Sequence, residues 1–290
     1  MSVYGDYAAR GRTAWWLYPL AVVLALGFSA AILVVLFVPM FLMHLVPPTL
    51  ADDLVRPTHP VVFFLGTGAE FGIVLLGFIG AIALVHAKRF GDIVGRWSWR
   101  LALLGAGVWL AVQMVGAFVD FALFPHSFRF TATSGTRALA LAAVVGLGVQ
   151  TFAEEFVFRG YLTQALLLAV KRPWLAATIS GLLFGALHWA NGPAQAVNAV
   201  FVGIAAAIIA IRTGSIAFTF GLHLVNNVFG AVCVVSSADV FHGSPGLFTQ
   251  TAPQLIGWDV VFAVVALLAV LWFTSRLDPP GGSAPGGDAS

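Results

Sequence analysis

Apolar residues along this chain do not alternate with polar ones. They run together in stretches of ~20, the length an α-helix needs to cross a hydrocarbon core. Such runs predict spanning helices near Trp15 to Leu45, Val61 to His86, Leu101 to Leu123, Ala138 to Val170, Trp174 to Ala190, Ala196 to Ile211, Ile216 to Val235 and Trp258 to Thr274, eight in all. Barrel strands would be about ten residues long and would alternate, so that architecture is excluded. The expected fold class is an all-α polytopic membrane protein of about eight transmembrane helices, forming a single domain over residues 1–276. Gly and Ala recur inside the runs, and small residues let helix backbones approach closely. Residues 277–290, rich in Gly, Pro and Ser, read as a disordered tail.

Composition agrees with the pattern. Charged residues are 9% of the 290 and hydrophobic ones 60%, whereas a soluble domain is about 25% charged. The formal net charge of +2 rests on basic residues scattered in short connections, not on a continuous patch, so no nucleic-acid partner is expected and the lipid bilayer is. Their placement predicts orientation. Arg10, Arg12, Lys88, Arg89, Arg96, Arg100, Lys171, Arg172, Arg212 and Arg276 fall on one side, and Arg56, Arg129 and Arg137 on the other. The positive-inside rule then puts both termini in the cytoplasm, in a bacterial-type plasma membrane. The first apolar run is too long for a signal-peptide core and reads as a retained helix. Cys233, the single cysteine, excludes a disulfide framework and reads as a buried inert thiol.

Against this apolar background, Glu154-Glu155-Phe156-Val157-Phe158-Arg159-Gly160 places three formal charges inside one run. An ionised side chain at that depth costs at least a few kcal/mol and marks function by default. Glu155 and Arg159 are four apart and can pair. Glu154 is rotated about 100° away, which points it to a different partner and divides the labour between a structural and an available glutamate. Taken alone, the pair suits a proton relay or a packing element as well as catalysis. Phe184 and His188 share a helical face, as do His223 and Asn227. The latter two would aim a ring N–H and an amide N–H at one point, as a developing oxyanion requires, although interhelical hydrogen bonding is the commoner use of such residues. Counting from the basic connections at 1.5 Å per residue puts Glu154, His188, His223 and Asn227 about 25, 24, 17 and 23 Å up their helices, one layer in the outer half.

Glu-Glu-x-x-x-Arg at 154–159, Phe-x-x-x-His at 184–188 and His-x-x-x-Asn at 223–227 resemble, in order and spacing, the three motifs of the CPBP intramembrane protease family. That group includes the type II CAAX prenyl endopeptidases and the Abi proteins. The likeness covers about residues 138–235. It implies an eight-helix fold around a polar intramembrane cavity in which a peptide bond is hydrolysed. By the family pattern Glu154 is the general base, His188 helps hold or polarise the water, His223 and Asn227 stabilise the oxyanion, and Glu155 and Arg159 brace the helix. A positioned base is worth typically ~100- to 10,000-fold in rate. No Ser-His or Cys-His arrangement offers a nucleophile instead.

A metal-free glutamate mechanism is the expectation, with zinc held by Glu154, His188 and His223 as the open alternative. Glu154, His188 and His223 have the ligand types of a zinc protease, but a His-Glu-x-x-His helix is absent and Asn227 suits an oxyanion pocket better than a zinc shell. The substrate implied is a membrane-associated peptide or protein, with prenylated CAAX-type peptides as one class. Two rival readings are a non-catalytic peptide-immunity or scaffolding protein of the same fold, and a proton-coupled transporter using Glu70, Asp120, Glu154 and Glu155. No second copy of the Glu-Glu segment marks the repeated halves of a transporter.

Overall fold

The computed structural model describes residues 3–46, 49–55, 59–238, 240–251 and 256–277. The tail expected at 277–290 lies, from residue 278 on, outside the described residues, as does Arg56. The described chain is almost wholly helical. A short α1 (Val3–Ala8) precedes α2 (Leu17–Leu42); α3 (Leu50–Val55) leads to α4 (Pro60–His86), α5 (Phe90–Val94) and α6 (Trp99–Leu123). After strand β1 (Phe128–Phe130), α7 (Thr136–Glu154) passes through a π-helical segment, Glu155–Leu162, into α8 (Thr163–Val170). Then come α9 (Pro173–Leu187), α10 (Pro193–Thr213), α11 (Ala217–Val228) with a terminal π turn over Phe229–Cys233, β2 (Val234–Ser236), β3 (Phe248–Gln250) and α12 (Ile256–Thr274).

Five of these stretches are long and apolar enough to cross a membrane: α2, α4, α6, the continuous α7–α8 unit of 35 residues, and α10. Of the other apolar helices, α9 and α11 are shorter. The reason is visible at their ends: α9 stops at Leu187 and gives way to a 3₁₀ turn at Trp189–Asn191, and α11 unwinds through its π turn into β2. Local chemistry sets the other boundaries. Pro60, Pro173 and Pro193 each open a helix at a position where no N–H is needed, and Gly214, at φ 69°, closes α10 in the left-handed conformation that glycine adopts freely.

The helices pack α2 on α4, α4 on α7, α6 on α11 and α9 on α10. Small residues carry the contacts. A Cβ on Gly146 would overlap the carbonyl oxygen of Phe64, and one on Gly221 that of Ala102. Large side chains left outside, such as Val35, Phe41 and Phe118 at 69%, 71% and 72% exposure, form the lipid-facing belt. At one end β3 lies between β1, antiparallel, and β2, parallel. At the other, Arg10 pairs with Asp92, Lys88 reaches Ala8, and the Arg96 N–H bonds the Gly214 carbonyl, so basic connections read as one side do gather together. Cys233 is half-buried rather than enclosed.

Candidate active site

Glu154 ends α7, Glu155 begins the π segment, and both carboxylates meet the ring of His223 from α11. Nδ1 of His223 lies 2.9 Å from Glu155 Oε1, and Nε2 lies 3.6 Å from Glu154 Oε2. The sequence pointed the glutamates at different partners; instead they flank one imidazole. The wider π turn lowers the rotation between successive residues, and an imidazole offers a nitrogen on each of two edges. Their other contacts differ as expected. Arg159 Nη1 sits 3.1 Å from Glu155 Oε1, both side chains being at most 1% exposed, while Glu154 Oε1 accepts from Gln150 Nε2 at 3.1 Å and its Oε2 has no hydrogen bond. The Arg159 guanidinium lies over the Phe184 ring at 4.1 Å, so cation–π attraction joins the ion pair in holding it.

His188 caps α9, its ring 4.4 Å from that of Phe184. Its Nδ1 is 2.8 Å from the Phe184 carbonyl. A carbonyl only accepts, so Nδ1 carries the proton and the neutral ring presents a lone pair at Nε2. The same logic applies to His223: with Glu155 ionised, Nδ1–H donates to it, and Nε2 becomes a donor only when the ring is doubly protonated. Asn227 donates to Thr151 Oγ1 at 3.3 Å. Two free donors at one point, the expectation for His223 and Asn227, are therefore not the resting arrangement: one N–H of each is already engaged.

Glu154, Phe184, His188, His223 and Asn227 nevertheless border one cavity of about 240 Å³. Glu155 and Arg159 stand behind it, unexposed. The wall also holds carboxamides that the motif reading did not select, among them Gln150 and Asn226. Asn226 accepts from Trp109 Nε1 at 3.1 Å and donates to Asn227 Oδ1 at 3.2 Å, which fixes the amide of Asn227. Gln150 was detectable as the residue four before Glu154 on the same face; Trp109 and Thr151 carried no such signal. A second hollow of about 340 Å³ shares Gln150, Glu154, Phe184, His188, Asn191, Val240 and Phe241 and is otherwise walled by Phe63, Thr67, Phe71, Leu147, Phe158 and Leu187. Among the described residues no three His, Cys, Asp or Glu side chains converge as a metal-ligand set. Glu154, His188 and His223 border one space, with His223 Nε2 3.6 Å from Glu154 Oε2.

Residues 136–229 match the family described as type II CAAX prenyl endopeptidase Rce1-like, a span that holds all three motifs. The chain is also 27% identical over 286 residues to a Bacillus subtilis (strain 168) protein named "Uncharacterized protein YyaK", covering 92% of this chain and 95% of that one. No solved structure matches. The resemblance carried by the motifs holds, and at family level it supports a CAAX-type intramembrane protease in an integral membrane protein.

Proposed function

We propose that this chain is an intramembrane endopeptidase that hydrolyses a peptide bond of a membrane-associated substrate, prenylated CAAX-type peptides being the family's named class. Glu154 takes a proton from a water oriented by the Nε2 lone pair of His188. The resulting hydroxide adds to the scissile carbonyl. Negative charge on the carbonyl oxygen is met by Asn227 and by doubly protonated His223, which Glu155 holds at Nδ1. As the C–N bond breaks, the proton on Glu154 passes to the leaving nitrogen and the carboxylate is restored. Glu155 and Arg159 act through His223 and the π segment rather than on substrate.

One observation carries this reading: a carboxylate oxygen of Glu154 without a hydrogen bond, beside two histidines and Asn227 on a single polar cavity within the apolar bundle. The metal-free reading rests on ligand type: Asn227 beside His223 suits an oxyanion pocket better than a zinc shell. The cavity lies toward the end remote from the basic connections, which the positive-inside rule makes the outer half of the membrane.

The test is cleavage of internally quenched peptides, prenylated and not, by protein in lipid nanodiscs. Glu154→Gln keeps shape, removes the base, and should abolish turnover while leaving the melting temperature near wild type. Wild-type rates in that variant would end the proposal. Dialysis against excess chelator should leave the rate unchanged; loss restored only by zinc would replace the glutamate mechanism with a metal one.

A further inference from the structure

Six carboxamides that no motif includes line the same cavity as Glu154: Gln113 from α6, Gln150 from α7, Asn191 from the 3₁₀ turn after α9, Gln195 and Asn198 from α10, and Asn226 from α11. Glu154 is the only Asp, Glu, Lys or Arg among the described residues of that wall. The side chains of Gln113, Asn191, Gln195 and Asn198 make no hydrogen bond among the described residues, and Asn191 and Asn198 are exposed, so the row runs from the molecular surface inward. Four polar side chains on separate turns of an apolar bundle, none serving to join helices, are not explained by packing, since interhelical glue would pair them.

We infer that these carboxamides form a binding vestibule for the main chain of an extended, uncharged polypeptide segment. The inference rests on the endopeptidase reading, which it deepens. A primary amide carries one carbonyl acceptor and an N–H₂ donor, the same pairing of functions that each peptide group presents. A peptide must leave helical geometry for its scissile bond to be reached. In apolar surroundings every backbone N–H and C=O then freed is costly until it finds a partner. Amides placed along the approach to Glu154 supply those partners without a net charge, and so without choosing side chains by charge attraction. An isoprenoid or acyl chain has nothing to offer them. Sugar hydroxyls could use the same groups, but the attacking machinery at the inner end of the row is suited to an amide bond.

The probe is a fluorophore-labelled, end-blocked hexapeptide of alternating Ala and Val, titrated by anisotropy into the Glu154→Gln protein in nanodiscs, with empty nanodiscs as the lipid control. A second peptide has the same side chains and N-methyl groups on its three central nitrogens. Saturable binding of the first is expected, weakened about 3- to 10-fold for each N–H removed in the second. Gln195→Met with Asn198→Leu should weaken the first peptide by about tenfold or more and shrink the difference between the two. Equal affinities on the Glu154→Gln protein, or binding no greater than to empty nanodiscs, would overturn the proposal, and neither result depends on the Gln195/Asn198 double variant folding. The two readings fail separately. Discrimination of the peptides by a wild-type protein that cleaves nothing removes the endopeptidase and leaves the vestibule; cleavage with no discrimination removes the vestibule alone.

Discussion

The imidazole of His223 touches two glutamates, and what else touches each glutamate sets them apart. Glu155 is held by Arg159 in a fully enclosed ion pair, whereas Glu154 borders the cavity and leaves Oε2 beside His223 without a hydrogen bond. Removing one partner of a buried pair typically costs 3–5 kcal/mol because the other charge is stranded, so losses at Glu155 or Arg159 would mix stability with activity. Asn227 separates the two better. Its amide is fixed by half-buried Asn226 and fully buried Thr151, and its truncation leaves no buried charge. Asn227→Ala should therefore lower kcat by ~100-fold or more, the usual effect of losing an oxyanion donor, while KM and melting temperature change little. Asn227→Asp keeps the shape, loses the donors and should be as slow. Single-turnover rates decide it: an active Asn227→Asp would return this residue to a structural role.

At the scale of elements, the site depends on how closely backbones cross. Gly221 lies two residues before His223, and any Cβ there collides with the carbonyl of Ala102 on α6. Gly221→Ala should push α11 off α6, cost about 1–3 kcal/mol by overpacking, and move His223 and Asn227 together. Gly148→Ala, where a Cβ meets nothing within 4 Å, is the matched control and should be neutral or slightly stabilising. Thermal unfolding of both variants in one detergent, followed by cleavage rates, makes the comparison. The eight apolar helices were legible in the sequence because a bilayer imposes a length, and the motif residues because polar groups are conspicuous in apolar runs. The π segment over Glu155–Leu162 was not, since spacing four apart reads the same in either helix type. Nor were β1, β2 and β3, three residues each, in connections where no periodicity can accumulate. The vestibule escaped for another reason: a lone Gln or Asn in a spanning helix reads as glue, and only coordinates show that several face one space without partners.

Across the whole molecule, the end bearing the basic connections is tied directly to the layer of the candidate site. α1 tucks beneath the bundle with Tyr4 fully enclosed, and its hydroxyl donates to the Arg159 carbonyl at 2.6 Å, inside the π segment that presents Glu155. Lys88 fastens the other end of α1, its ammonium 2.9 Å from the Ala8 carbonyl and 3.3 Å from Gln164 Oε1. Burial pulls the Lys88 amine down to about 8 from its ordinary 10.5, with the nearby Asp92 carboxylate opposing the shift. The sign of the resulting pH dependence follows. Between those values the detached chain binds more protons at Lys88 than the docked one, so docking gains as pH rises through the window. Below about 8 both states hold the proton and the full penalty of burying an ammonium is present. Lys88→Met keeps the aliphatic stem and removes the titration. The gap in melting temperature between this variant and wild type should therefore shift in favour of wild type as pH goes from 7.5 to 9.5. Because α1 is latched to the π segment through Tyr4, cleavage at 7.5 should respond in the same direction when the latch is weakened by Tyr4→Phe, which deletes only the hydroxyl. A pH-independent gap would mean that Lys88 keeps its proton throughout, and that α1 is held by its apolar face alone.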